Sequence, residues 1–274
     1  MIRYRPASPA IEVIARPGVP TLPDDLQREV DGAWGRARQA QLAGDELFDG
    51  LVFSLDRLDD DGTGRVVRLE GCFVPYSWYV AARENAAVSS VLSLSVMGVS
   101  GLLECPEGVV VGVRAATQLE RGSLELVPSG TLDDSCTRDG RVDVRAHVLK
   151  ELREEVGIES GGMTAGPTPF TLILDEASGF ADLGVRMRTD LSVTAIRAIH
   201  DGLDSPEYES VTVLDAVALR EALLGARRVV PASLGLLEAA GLLSHRTDSD
   251  HLAGGTADVL GGTVDPSSRA GSGA

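Results

Sequence analysis

Residues 149–158 read LKELREEVGI, and the fold turns on how this stretch is understood. The spacing predicts the end of a helix, and on a helix Glu151, Glu154 and Glu155 stand at i, i+3 and i+4 on one face. Like charges at those spacings repel, and acids near a helix C-terminus oppose its dipole. Lys150 with Glu154 is the single i,i+4 pair that offsets this, and it runs in the weaker order. As an ordinary surface helix the stretch is poorly built, and something else is needed to neutralise it.

Working outward, Asp143 is a candidate N-cap. Val144, Val148, Leu149, Leu152 and Val156 form the apolar stripe, Gly157 suits the left-handed residue that closes a helix, and Ile158 makes the contact that follows. Packing of that stripe fixes the rotation and holds the glutamates on another side. Several carboxylates converging on one small volume are what Mg²⁺ or Mn²⁺ requires, and such ions bridge the oxygens of a diphosphate and acidify an attacking water. Upstream, LVPSG (126–130) ends a strand in a loop that presents backbone carbonyls towards the same place. The competing explanation is a solvated acidic face.

Mixed strands and helices surround this helix. A helix is predicted from Asp24 to about Gly44, and strands at LVFSLDRL and RVVRLEG flank the turn DDDGTG. Further strands are expected at SVLSLSVMGVSGLLE, GVVVGVRA, GSLELVPSG, FTLILDEASG, DLGVRMRTDLS and YESVTVLD. Helices are expected near 193–202 and 215–224 and at ASLGLLEAAGLL. The first twenty-odd residues are proline-rich and expected to be extended or loosely ordered. The fold class is α/β, an α/β/α sandwich with a mixed sheet, preceded by an α+β segment at 1–94. The main domain spans 95–243, and the small, polar composition of 244–274 predicts a disordered tail.

Composition narrows the function. The chain has 274 residues, 43% of them hydrophobic, and a net charge of −16. That charge argues against nucleic acid or an anionic membrane as partner. Three widely spaced cysteines give no zinc pattern, and no apolar run is long enough to span a bilayer, so a cytoplasmic location is expected.

KELREEVGI is similar to the second half of the Nudix box, G-x5-E-x7-R-E-U-x-E-E-x-G-U, and LVPSG resembles the loop that opens it. The resemblance implies a loop–helix–loop on an α/β/α sandwich, with Glu151, Glu154 and Glu155 binding Mg²⁺ or Mn²⁺. It implies hydrolysis of a nucleoside diphosphate linked to another group, with Glu154 among the catalytic groups. Gly130 matches the loop glycine if DDSCTRDGR (133–141) is an insertion. Two positions depart from the box: its arginine is Lys150, and its upstream glutamate falls on Val142. Lysine lacks the planar fork with which arginine orients a carboxylate, and Asp143 is a partial substitute for the missing glutamate.

The likeness extends over most of 95–240. Arg114, and after it Arg121, stand where a basic residue approaches the substrate, and Glu209, then Glu207, where a further metal ligand or general base is supplied. DELFDGLVFSLDRL and CFVPYSWYVAAREN resemble the front segment of the UDP-sugar branch, which implies a nucleotide sugar as preferred substrate, ADP-ribose as runner-up and dimerisation. Phe73, Tyr76, Trp78 and Tyr79 are then candidates for base stacking, with core packing as the alternative. His147, one turn before Glu151, is within reach of the metal cluster, and a partly exposed helical histidine is the expectation. The altered box also permits a rival reading, a nucleotide-binding regulator that has lost turnover.

Overall fold

The computed structural model describes residues 2–40, 49–115, 122–176, 178–204, 206–224 and 228–243. The expectations for Arg121 and for the tail at 244–274 lie outside them. In chain order the strands are β1 (Ile2–Arg16), β2 (Leu51–Asp60), β3 (Val66–Pro75), β4 (Val96–Cys105), β5 (Gly108–Arg114), β6 (Leu124–Leu126) and β7 (Ser129–Thr131). They continue as β8 (Thr137–Arg138), β9 (Arg141–Val142), β10 (Met163–Asp175), β11 (Phe180–Thr189) and β12 (Tyr208–Leu214). The helices are α1 (Asp24–Ala40), α2 (Tyr76–Glu84), α3 (Ala86–Leu92), α4 (Val144–Glu151), α5 (Val193–His200), α6 (Ala216–Leu224) and α7 (Pro231–Ala239).

These strands form a mixed sheet in the order β10-β11-β4-β2-β3-β1-β9-β8, with β5, β6, β7 and β12 attached beside β4. β4 runs parallel to β11 and is buried along Val96–Leu103, which accounts for its near-continuous apolar sequence. Its side chains divide the core between two faces. Met97, Val99 and Leu103 pack in one cluster with Val144, Val148, Leu152 and Val156. Leu102 packs in another with Leu219, Leu236 and Leu237 of α6 and α7. The result is the expected α/β layering, with α4 and α7 on opposite sides of one sheet.

A third cluster joins Val30 and Ala33 of α1, Trp78, Tyr79 and Ala81 of α2 and Val88 of α3 to Val52, Cys72 and Val74 of β2 and β3. Phe73, Trp78 and Tyr79 are therefore core residues, and Tyr76 alone of the four aromatic candidates is half-buried.

The N-terminal residues are more ordered than their prolines suggest. β1 pairs antiparallel with β10 through Ile2–Pro6 and then parallel with β3 from Ala7 to Arg16, with a register shift between Ala7 and Glu12. Pro6 and Pro9 fall where the strand changes partners, so their missing N–H groups cost little of the ladder. The insertion DDSCTRDGR is likewise structured: it forms a short turn and the β8–β9 hairpin, which reaches β1 through Ile14 and Arg141. The stretch before β4, expected to be strand throughout, opens as helix α3 capped by the Asn85 side chain.

Asp182 on β11 is buried, receives a hydrogen bond of 2.7 Å from Ser100 Oγ, and among the described residues leaves its Oδ1 without a partner. Burial pushes its carboxyl up to about 7. Among the described residues no helix is long and apolar enough to cross a membrane.

Candidate functional site

The helix begins as the sequence predicts. The Asp143 carboxylate accepts a hydrogen bond of 3.0 Å from Ala146 N, which commits it to the N-cap rather than to Lys150. Val148, Leu152 and Val156 are fully buried, each contributing about 1.5–3 kcal/mol through burial, and so lock the rotation of the helix. The last turn widens into a π-helical turn, Leu152–Val156, and Gly157 closes it at φ 81°.

That wide turn separates the three glutamates. Glu155 is 1% exposed, and its Oε2 accepts a hydrogen bond of 2.8 Å from Ser129 N in the preceding loop. Glu151 lies against Gly130: a Cβ placed there would come within 2.6 Å of the Glu151 Cδ and 2.9 Å of its Oε2. Glu154 instead has a side chain 48% exposed and pairs with Arg153 at 3.2 Å. The structure thus brings Glu151 and Glu155 together beside Gly130 and leaves Glu154 at the solvent side. Gly98 on β4 makes room for this loop, since a Cβ there would lie 3.1 Å from the Gly130 carbonyl oxygen.

The electrostatics are those of crowded, desolvated acids. Burial pushes Glu151 up to about 7, with the charges of Glu154, Glu207 and Asp133 adding to it and Lys150 opposing. Burial likewise holds Glu155 well above the usual carboxylate range, with Glu207, Glu125 and Glu151 adding to it. Glu207 is exposed, and its charge is among those that raise both carboxylates. Glu209 is exposed on the strand that follows, β12.

Three partners carry no signal in the spacing of the box. Glu125 on β6 is buried and accepts from Arg114 Nη1 at 2.5 Å, from Tyr208 OH at 3.0 Å and from Ser129 Oγ at 3.1 Å. Arg114 is therefore anchored beside the site by a buried carboxylate. Its charge also reaches Tyr76, whose phenol burial raises and Arg83 and Arg114 oppose. Tyr208 fits because a Cβ on Gly112 would come within 2.4 Å of its ring. Asp133, in the insertion, takes the Lys150 ammonium at 2.8 Å, so Lys150 sits 3.8 Å from Glu151. An acid flanked by leucines in LEL (124–126) hints at Glu125, but Asp133 becomes visible only once the insertion is folded.

His147 differs from expectation. It is 0% exposed, because α4 turns this position towards the insertion and the loop rather than to solvent.

For a hard divalent ion, the donor chemistry fits. The Glu151 carboxylate lies against a glycine whose missing side chain leaves room for it, and the Glu155 carboxylate meets the adjacent Ser129 N, so hard oxygen donors stand on one loop. Among the described residues no three acidic, histidine or cysteine side chains are assembled as a closed ligand set.

Strand β7, the insertion, α4 and the closing turn at Gly157 form a loop–helix–loop lying on a mixed sheet. This is the arrangement that the resemblance of the box implies. No family model and no curated protein matches the chain. Solved structures similar to it include a Nudix hydrolase from Nitrosomonas europaea, 12% identical with a TM-score of 0.36, over 53% of this chain and 88% of that one. The Nudix domain of Shewanella oneidensis NrtR, complexed with ADP ribose, is 14% identical with a TM-score of 0.36, over 54% and 86%. A MutT/Nudix family protein from Listeria innocua is 13% identical with a TM-score of 0.38, over 53% and 91%. These likenesses concern the fold alone.

Proposed function

We propose that the chain is a divalent-metal-dependent hydrolase that cleaves the diphosphate of a nucleoside diphosphate linked to another group, nucleotide sugars preferred. The observation that carries this reading is the pairing of two buried, hard-to-ionise carboxylates, Glu151 and Glu155, against the loop at Ser129 and Gly130. Mg²⁺ or Mn²⁺ held by Glu151 and Glu155, with Glu154 at the outer side, would neutralise the diphosphate oxygens and lower the pKa of the attacking water.

The protein groups around this position have separable tasks. Glu207, exposed and among the charges that raise both carboxylates, would serve as the proton acceptor, with Glu154 and Glu209 as the other acids available for that role. Arg114, fixed by Glu125, adds positive charge on the side of Tyr76, where a departing phosphate would be met. Tyr76, half-buried and edge-on to Trp34 with ring centroids 6.3 Å apart, is the aromatic surface available to a base.

A panel of nucleotide sugars and ADP-ribose with Mg²⁺, read by phosphate release through a coupled phosphatase, tests the proposal. Turnover of at least one nucleotide sugar is expected, and no Mg²⁺-dependent turnover of any member would overturn it. One observation favours a second reading, a nucleotide-binding regulator without turnover: the lysine at the arginine position gives its charge to Asp133 instead of Glu151. Calorimetric binding of nucleotide with no product over hours would establish that alternative.

A further inference from the structure

His147 is fully buried on α4, one turn before Glu151, and among the described residues neither ring nitrogen completes an aligned hydrogen bond. Such orphaned polar atoms are rare in cores and call for a reason. The surroundings supply one. Nε2 stands 3.2 Å from Oε1 of Glu151, and Nδ1 stands 3.6 Å from Oδ1 of Asp133. Asp133 is already well supplied: its Oδ1 accepts from Ser135 N and Ser135 Oγ, and its Oδ2 from Lys150. Among the described residues, Glu151 Oε1 has only Lys150 at 3.8 Å besides the imidazole. The Thr131 backbone carbonyl is a further acceptor beside the ring. Of the two carboxylates beside it, Glu151 is the one without a closer donor among the described residues.

The two oxygens of Glu151 are thereby distinguished. Oε1 faces His147, and Oε2 faces Gly130, on the side where Glu155 meets Ser129. Lys150, the other cation beside Glu151, is held by Asp133. We infer that His147 is a positioning residue for Glu151, donating from Nε2 to Glu151 Oε1 and so turning Oε2 towards the metal side of the site. The inference rests on reading the site as that of a metal-dependent pyrophosphohydrolase.

The test compares His147→Leu, which fills the space without a donor, with His147→Gln, which restores an N–H, and with Lys150→Met, all in the full chain. Mn²⁺ affinity without substrate, measured by electron paramagnetic resonance, is the first readout. His147→Leu is expected to weaken it about 10-fold or more, as loss of an orienting partner typically does, with His147→Gln recovering part and Lys150→Met changing it less. Where turnover is measurable, the loss should appear in kcat with KM for the nucleotide unchanged. A second measurement needs no variant: in a crystal of the wild-type protein with Mn²⁺, Glu151 Oε1 should accept from His147 Nε2. Folded leucine and glutamine variants with wild-type Mn²⁺ affinity, a larger loss in Lys150→Met, or Glu151 turned away from His147 in that crystal would each overturn the inference. Wild-type protein that binds Mn²⁺ in a His147-dependent way without turning over any nucleotide would uphold the inference and refute the hydrolase reading. Protein that binds no Mn²⁺ at all would refute both.

Discussion

Lys150 points its ammonium at Asp133, 2.8 Å away, although Glu151 is its immediate neighbour in the chain and lies at 3.8 Å. The insertion at 133–141 supplies this anion, so a segment that lengthens the box also restores an ion pair to the helix. Both side chains keep about a third of their exposure, which makes a modest coupling the expectation. A double-mutant cycle with Asp133→Asn and Lys150→Met, read by urea unfolding, should give a coupling of about 1 kcal/mol. A coupling near zero would show that the contact contributes nothing to the fold.

Gly130→Ala places a methyl group within 2.6–2.9 Å of the Glu151 carboxylate. The carboxylate must move, because the atoms opposing the methyl group are its own side chain's. Mn²⁺ affinity and turnover should fall by about 10-fold or more, while the far-ultraviolet circular dichroism stays unchanged. Retained affinity would remove Gly130 from the site.

Glu155→Gln separates stability from activity. Burial, with nearby acids adding to it, makes the ionised Glu155 costly, and the amide keeps an oxygen to accept from Ser129 N. The variant should melt at or above the wild-type temperature at pH 7.5 without metal, and its turnover should drop by at least about 10-fold. A lower melting point would contradict the account of Glu155 as a strained carboxylate.

Asp182 gives a pH dependence away from the site. Its folded value of about 7 lies above the ordinary 3.8, so the fold binds the proton more tightly than the unfolded chain does. The stability it contributes is fully present below the ordinary value and is lost as pH rises through 7. Over that window the loss is of order 4 kcal/mol. Thermal melts between pH 4 and 8 should show Asp182→Asn declining less than wild type, and parallel curves would refute it.

The helix of the box was legible because its cap, stripe and closing glycine are local features: Asp143, Val148 and Gly157 all stand where spacing placed them. The proximity of Glu151 to Glu155 also follows from the helix, since residues four apart share a face. What spacing could not supply is the π-helical turn, which sends Glu154 outward, and the partners that come from elsewhere in the chain. Glu125 and Asp133 reach the site through strand pairing and a folded insertion. His147 reads as partly exposed because one side chain's burial depends on what packs over it, and no local pattern shows the insertion folding against it. Pro6 and Pro9 misled in a similar way, since their tolerance in β1 depends on a change of neighbour that no local pattern announces.

That change of neighbour makes the first sixteen residues a clasp. β1 grips β10 with one end and β3 with the other, and its Ile14 also holds the β9 hairpin that leads into Asp143. Trimming it would expose two unsatisfied strand edges at once and loosen the foundation of the acidic helix. A recombinant fragment begun after Arg16, however complete its box, would therefore be a poor surrogate for the whole chain.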